Sequence, residues 1–348
     1  MINNKKVAIV LLNWNGKGLL EKFLPSVIKH SHDTDVKIIV ADNGSTDDSI
    51  GFLKTNFPEI TVLDLKENYG FAKGYNIALE HVEADYFILL NSDVEVTRNW
   101  IAPCISRMEE DGNIVAVQPK ILSFEKKDYF EYAGAAGGFI DKYGYPFCRG
   151  RFLNVVEKDE GQYNEATPIF WASGACLFIR AGLFNLVGGF DENFWAHMEE
   201  IDLCWRLKNR GYSVWYEPKS VVYHLGGGTL SYDSPKKIYL NFRNNLWMLY
   251  KNLPKGKAFV RFIKRMILDG VAAAKFLVDL NFTGFNAVSH AHLSFYKNIR
   301  RLRRQRNLLH SVATKTDHNE ILKRSIMWRF FIQKKRKFSQ LKTKRFLS

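Results

Sequence analysis

"FILLNSDVEV", residues 87–96, is an apolar run that ends abruptly on Asn91, Ser92 and Asp93. It reads as a buried strand, and the question is why it stops on a carboxylate beside small polar residues. A plain turn is one answer, since Asn, Ser and Asp hydrogen-bond their own backbone. A metal ligand is the other, because open α/β sheets place ligands at the carboxyl ends of their strands. The neighbouring segments build the sheet. "VAIVLL" (7–12), "VKIIVAD" (36–42), "YFILLN" (86–91) and the weaker "NIVAVQP" (113–119) are continuous apolar runs of strand length. Such runs suit parallel strands covered on both faces. Between them, Leu19, Leu20, Phe23, Leu24 and Val27 share one helical face, and Ile50, Leu53 and Phe57 another, with Ser45 and Asp47 as candidate N-caps. Alternating strands and helices predict an α/β sandwich with a mostly parallel, Rossmann-like sheet.

Residues 121–165 lose this pattern and read as loop and hairpin, a candidate cover for an acceptor. "PIFWASGACLFIR" (168–180) resumes as strand. "MEEIDLCWRLKNRGYSVWYEP" (198–218) predicts an amphipathic helix closed by Gly211, then a strand. The four cysteines, Cys104, Cys148, Cys176 and Cys204, form no CxxC pair, so neither a zinc site nor a disulfide framework is expected, and a reducing compartment is the simpler setting. The apolar N-terminus leads straight into Asn-Trp-Asn-Gly and reads as a first strand, not a signal peptide. No uncharged stretch is long enough to cross a bilayer.

Charge divides the chain. Residues 255–348 hold 23 Lys/Arg against 4 Asp/Glu, a net of +19, whereas residues 1–254 hold 27 against 32, a net of −5. A boundary near "KNLPKGK" (251–257) predicts a body of residues 1–254 and a basic, helical region of residues 255–348.

Polar residues gather where strands end. Asp42-Asn43-Gly44-Ser45 closes the second strand, and Asn91-Ser92-Asp93 closes "YFILLN"; parallel strands would bring both to one edge. "ENYGFAKGYNIAL" (67–79) places Gly70, Gly74 and Asn76 at a helix entrance, where small residues admit a close ligand. Neither GxGxxG nor GxxxxGK[ST] is present, so a nucleotide would bind by another geometry.

Asp42-Asn43-Gly44-Ser45, Asn68 to Asn76, Asn91-Ser92-Asp93, Trp171-Ala172-Ser173-Gly174, Gly189-Phe190-Asp191, Glu199-Glu200-Ile201-Asp202 and His224 occur in an order that resembles family 2 glycosyltransferases, most closely the bacterial rhamnosyltransferase-type branch. The resemblance covers about the first 250 residues. It implies a GT-A fold, a nucleotide-diphosphate sugar donor, a divalent cation (Mg²⁺ or Mn²⁺) and inversion at the anomeric carbon. Carried over, it assigns Asp42 to the nucleotide base, with Asn43, Asn68, Gly70, Gly74, Asn76 and Ser92 around the nucleotide sugar. Asp93 becomes the metal-binding end of an Asp-x-Asp motif, His224 a further metal ligand and Glu200 the catalytic base. The sequence departs from the pattern at Asn91, where the strict motif has Asp, and at Glu200, where Asp is commoner.

The chemistry agrees with those roles. A hard cation with oxygen ligands neutralises the charge that develops on a departing diphosphate. A sugar hydroxyl attacks weakly unless a base takes its proton, and inversion needs that base opposite the leaving group. Glu200 is an acid distant in sequence from Asp93. Glu199 and Asp202 share a helical face from which Glu200 is turned roughly 100°, and Asp202 can pair with Arg206 at i+4.

Each residue also has a structural reading. Asp42 to Ser45 can be a turn and cap; Gly70, Gly74 and Asn76 packing and capping residues; Glu199 and Glu200 helix-start charges. His224 can be a structural histidine, Trp171 and Trp195 core or loop anchors, and Lys73 a solvated lysine. In the tail, residues 257–280 carry Arg261, Arg265, Asp269, Lys275 and Asp279 as a polar stripe on a broad apolar helix, and "KNIRRLRRQR" (297–306) and "KKRK" (334–337) follow. Apolar residues beside dense positive charge suit an anionic membrane surface, and packing on the body is the alternative. No recognised nucleic-acid module accompanies the basic runs, so nucleic acid is a weaker expectation. The expected protein is therefore an inverting, metal-dependent glycosyltransferase with a lipid-linked or other surface-glycan acceptor, possible rhamnose transfer, and a cytoplasmic location peripheral to the inner membrane. A non-catalytic nucleotide-sugar or glycan-binding protein of the same fold is the alternative.

Overall fold

The computed structural model describes residues 5–32, 35–226, 234–254, 256 and 258–341. Its first half alternates as the sequence predicts: β1 (Val7–Asn13), α1 (Lys17–His30), β2 (Val36–Asp42), α2 (Ser49–Asn56), β3 (Thr61–Asp64), α3 (Gly70–Glu80) and β4 (Tyr86–Asn91). Then follow β5 (Val94–Val96), α4 (Ala102–Glu110) and β6 (Ile114–Ser123). In β1, Val7, Ile9 and Leu11 join one apolar cluster with Leu20, Leu24 and Val27 of α1, while Ala8 and Val10 join the cluster on the other face with Ala72 and Tyr75 of α3. Both faces are covered, which is why the run is apolar throughout rather than alternating.

The predicted strand in 168–180 resolves into β11 (Thr167–Ile169) and β12 (Cys176–Arg180), followed by α5 (Ala181–Leu186), α6 (Glu199–Asn209) and β13 (Ser213–His224). Gly211, with φ +95°, takes the left-handed position just after α6. The main sheet runs β11-β13-β6-β12-β4-β1-β2-β3, with β5 on β13. Parallel pairing holds for β4-β1-β2-β3 and for β6-β13, but β12 enters antiparallel between β4 and β6. The sheet is therefore mixed, and the N-terminal end of β12 meets the carboxyl ends of β1, β2, β4, β6 and β13 along one edge.

Residues 121–165 are more structured than expected. They contribute β7 (Gly138–Asp141), β8 (Pro146–Cys148), β9 (Arg151–Phe152) and β10 (Val155–Val156), a small second sheet. Helix α7 (Pro235–Asn252) closes the body just before the predicted boundary, and the basic region holds α8 (Ala258–Val278), α9 (Phe282–Lys297), α10 (Ile299–Ser311), β14 (Ile321–Leu322) and α11 (Ile326–Phe331). The basic region packs on the body: β14 completes the second sheet beside β7, and Phe330 and Phe338 stack with Phe152, Phe139 and Phe147. All four cysteines are buried and unpaired. The caps of α2 differ from expectation. Asp48 is the N-cap residue, the Ser45 hydroxyl turns to Asp42, and Asp47 accepts from the Ser49 N–H at 3.1 Å.

Candidate active site

The carboxyl end of β2 is a closed hydrogen-bonded loop. Asp42 is buried and accepts from the Ser45 N–H (2.8 Å), the Ser45 hydroxyl (2.6 Å) and the Asn13 amide (2.9 Å). Asn43 reaches the next loop, donating to Asn68 Oδ1 (3.2 Å) and Gly70 O (3.1 Å) and accepting from Tyr69 N–H (3.1 Å). Asn68 in turn accepts from the Gly70 N–H at 2.9 Å. Gly70 has φ +75°, and a Cβ there would lie 2.7 Å from the indole of Trp195. Gly74 faces Leu12 and the Asn43 amide, both just beyond 3 Å from a Cβ. Asn76 acts elsewhere: it donates to Phe190 O and accepts from Phe190 N–H, both at 2.9 Å, and so pins the Gly189–Glu192 turn. Lys73 lies over the Tyr69 ring at 4.8 Å.

At the end of β4, Ser92 is half-buried and its hydroxyl borders Gly16, while Asp93 is buried. Pairing of β5 with β13 sets Val94 opposite His224. This brings Asp93 Oδ1 within 3.1 Å of His224 Nε2, and the other ring nitrogen lies 3.2 Å from Glu131 Oε2. The imidazole is thus held between two carboxylates. Burial works against its charge, but hydrogen bonds and charge from Asp93 and Glu131 prevail and raise its pKa to about 10. Burial likewise works to raise the Asp93 carboxyl; His224 and backbone N–H groups, Gly226 among them, hold it below the ordinary range. Gly226, at φ +72°, leaves space for Glu131, since a Cβ would stand 2.8 Å from its Oε1. Residues 227–233, the remainder of the glycine-rich stretch after His224, lie outside the described residues.

The donor set fits a divalent cation bound jointly with a ligand. Neighbouring donors on an octahedral ion with bonds of about 2.1 Å are about 3 Å apart, close to the Asp93–His224 separation. Among the described residues no group of three His, Cys, Asp or Glu side chains forms a complete cage. Oxygens of a ligand and water would supply the rest of the shell.

The third part is the start of α6. Trp195, His197 and Met198 all have positive φ (65°, 70° and 72°), a conformation that costs a non-glycine residue about 1–2 kcal/mol. Contacts from two sides hold it. The Trp195 carbonyl accepts from Phe71 N–H (2.7 Å) and Ala72 N–H (3.2 Å) at the start of α3. From α7, the Asn244 amide donates to Phe194 O, Ala196 O and His197 O at 2.7–2.9 Å. The clamp ties the loop to the strand-end edge and sets down Glu199 and Glu200 immediately after it. Burial raises both carboxyls. Glu199, fully enclosed and beside Glu200, is driven well up; Glu200, half-buried and near N–H groups of the helix start, reaches about 7. Among the described residues each keeps one buried oxygen without a hydrogen-bond partner. Asp202 instead pairs with Arg206 at 2.8 Å and Lys251 at 3.0 Å, the structural role its spacing predicts.

Sequence reasoning missed Glu131, Asn13 and Asn244. Glu131 lies in the irregular 121–165 stretch, and its signal was a lone acid ahead of "AGAAGG". Asn244 is one amide on a long helix, which nothing local distinguishes. Trp171 and Ser173 serve the frame: Trp171 Nε1 donates to Phe139 O at 3.0 Å, and Ser173 N–H to Gln118 at 2.8 Å.

A family model described as glycosyl transferase family 2 matches residues 8–186. N-acetylglucosaminyl-diphospho-decaprenol L-rhamnosyltransferase of Mycobacterium tuberculosis is 26% identical over 234 residues, covering 62% of this chain and 75% of that protein. Rhamnosyltransferase WbbL of Escherichia coli K12 is 26% identical over 227 residues, covering 63% and 83%. Among solved structures, GalNAc-T7 with UDP, GalNAc and Mn²⁺ superposes with a TM-score of 0.55 at 18% identity, over 71% of this chain and 48% of that one. Mannosyltransferase PcManGT of Pyrobaculum calidifontis, in complex with GDP-Man and Mn²⁺, gives 0.52 at 14% identity, over 88% and 86%. At these identities the structural likeness establishes the GT-A fold.

Proposed function

The chain belongs to glycosyl transferase family 2, and from that premise we propose that it is an inverting, cation-dependent enzyme acting on a nucleotide-diphosphate sugar. The observation that carries the reading is the Asp93–His224 pair, 3.1 Å apart at the edge where β4 and β13 end. Asp93 and His224 would hold the cation, which when bound neutralises charge developing on the leaving diphosphate. Glu131 orients the imidazole from behind. The Asp42–Asn43–Asn68–Gly70 network shapes the wall for the nucleotide, with Gly74 and Ser92 as small neighbours. Glu200 takes the proton of the acceptor hydroxyl as that oxygen attacks the anomeric carbon. Its raised pKa suits a base that must be ionised near neutrality yet hold a proton well. Rhamnose is the sugar that the names of the two relatives suggest, and one of those names describes a lipid-diphosphate acceptor. A lipid-linked glycan precursor is therefore the proposed acceptor, met at the cytoplasmic face of the inner membrane.

A screen of dTDP-, UDP- and GDP-sugars by thermal shift with Mn²⁺ would identify the donor, since a ligand that binds the native state raises its stability by mass action. Turnover of that donor should fall sharply in both Asp93→Ala and Glu200→Gln. Binding without turnover in the wild type would support a non-catalytic sugar-nucleotide binder instead, and turnover indifferent to both changes would remove Asp93 and Glu200 from the catalytic assignment.

A further inference from the structure

Helix α8 is inside out. Arg265 and Asp269 face the body, joined at 2.8 Å; the guanidinium also donates to Tyr143 O and Asn245 and lies 4.0 Å from the centroid of the Tyr145 ring. Phe262 and Ala273 share this inward stripe. The opposite stripe, at spacings of three, four and seven, is Val260, Ile263, Ile267, Val271 and Val278, exposed by 56%, 38%, 61%, 63% and 81%. Leu280 and Phe282 carry the apolar surface on to the start of α9, again exposed. A helix bathed only by water presents the reverse arrangement, and contiguous exposed apolar surface marks a contact site.

The surrounding charge selects the partner. Residues 258–311 contain ten Lys/Arg and two Asp, and both Asp are ion-paired, Asp269 with Arg265 and Asp279 with Lys275. Lys264 and Lys275 flank the apolar stripe on stems long enough to lie along it with their ammonium groups raised. Arg300, Arg303 and Arg304 add exposed charge on α10. Among the described residues no helix is long and apolar enough to cross a membrane. We infer that α8 lies in the plane of an anionic lipid bilayer, with its Val260–Val278 stripe in the acyl boundary and its basic flanks at the headgroups. The inference needs no turnover, and it gives a lipid-linked acceptor a surface on which to meet the enzyme.

The test is co-sedimentation of the full chain with phosphatidylcholine vesicles, with and without phosphatidylglycerol, at low and high salt. The wild type should bind the anionic vesicles and weaken with salt. The double substitution Ile267→Asp, Val271→Asp should weaken binding by at least about tenfold, and Lys264→Glu by about fivefold. All three side chains are exposed, so thermal unfolding should be unchanged. No wild-type binding to anionic vesicles, or equal binding by the double variant and by Lys264→Glu, overturns the inference. So does a wild-type dimer that the double substitution dissociates, because the stripe is then a contact between copies of the chain. Should the double variant unfold, Lys264→Glu alone decides.

Discussion

Asp93 is buried and Glu200 half-buried, and their surroundings push the two carboxylates in opposite directions. Asp93 is held ionised by the His224 ring and by backbone N–H groups; a cation bound by both residues would take the place of the proton between them, because a coordinating imidazole is neutral. Among the described residues Glu200 has no cationic partner, and burial raises it to about 7. A base works in its ionised form, which grows as pH rises through that value. The kcat/KM of the wild type should therefore fall on acidification below about pH 7, and Glu200→Gln should lose both this limb and roughly 10²–10⁴ in kcat. A flat profile between pH 5.5 and 8 would point to another base. Of the two ring nitrogens of His224, Glu131 meets the one away from Asp93, so Glu131→Gln should weaken Mn²⁺ activation by about 10–100-fold while saturating Mn²⁺ restores most of the rate. Asp93 stood out as a candidate because it closes an apolar run beside small residues, whereas His224 became one only through the resemblance to family 2 glycosyltransferases. Glu131 was not legible, since a carboxylate in an irregular loop acquires its role only when the fold brings the loop to the end of β13.

At the scale of elements, the part most dependent on tertiary support is the loop into α6. Its left-handed residues are unfavourable locally, and the Asn244 amide offsets that cost from another helix. Asn244→Ala should cost about 1–3 kcal/mol in denaturant unfolding and lower kcat more than it raises KM, because Glu200 loses its placement. An unchanged kcat in a folded variant would remove the link between clamp and chemistry. Gly70→Ala tests the other side of the loop: strain at φ +75° and the indole 2.7 Å from the new Cβ should shift Trp195 and weaken donor binding, read by calorimetry. The sequence disclosed α1, α2, α6 and the long strands by their apolar spacing, and α3 by the small residues at its entrance. For residues 121–165 it indicated loop and hairpin but did not place β7 to β10, because strands of two to four residues repeat too little to separate from loop. Nor did apolarity alone reveal that β12 runs antiparallel, since it too is buried on both faces.

For the whole molecule, charge composition suggested a body and a tail, but packing joins them. The segment after α10 contributes β14, Ile326, Phe330, Phe338 and Leu341 to the core beside Phe139, Phe147 and Phe152. Each such side chain buries about 1.5–3 kcal/mol, against a typical total stability of about 5–15 kcal/mol. A chain ending at Ser311 should therefore melt far lower or aggregate; an unchanged melting temperature would mean that the segment is dispensable. These contacts join residues nearly two hundred positions apart, and no local pattern announces them. The proposed chemistry depends on a cation held by Asp93 and His224 beneath a donor diphosphate. Isothermal titration of the donor nucleotide into wild type and Asp93→Ala, each with Mn²⁺ and with EDTA, addresses it directly. Mn²⁺-dependent binding by the wild type, lost in Asp93→Ala, is the predicted result; binding equally tight with EDTA, or equally Mn²⁺-dependent in Asp93→Ala, would contradict it.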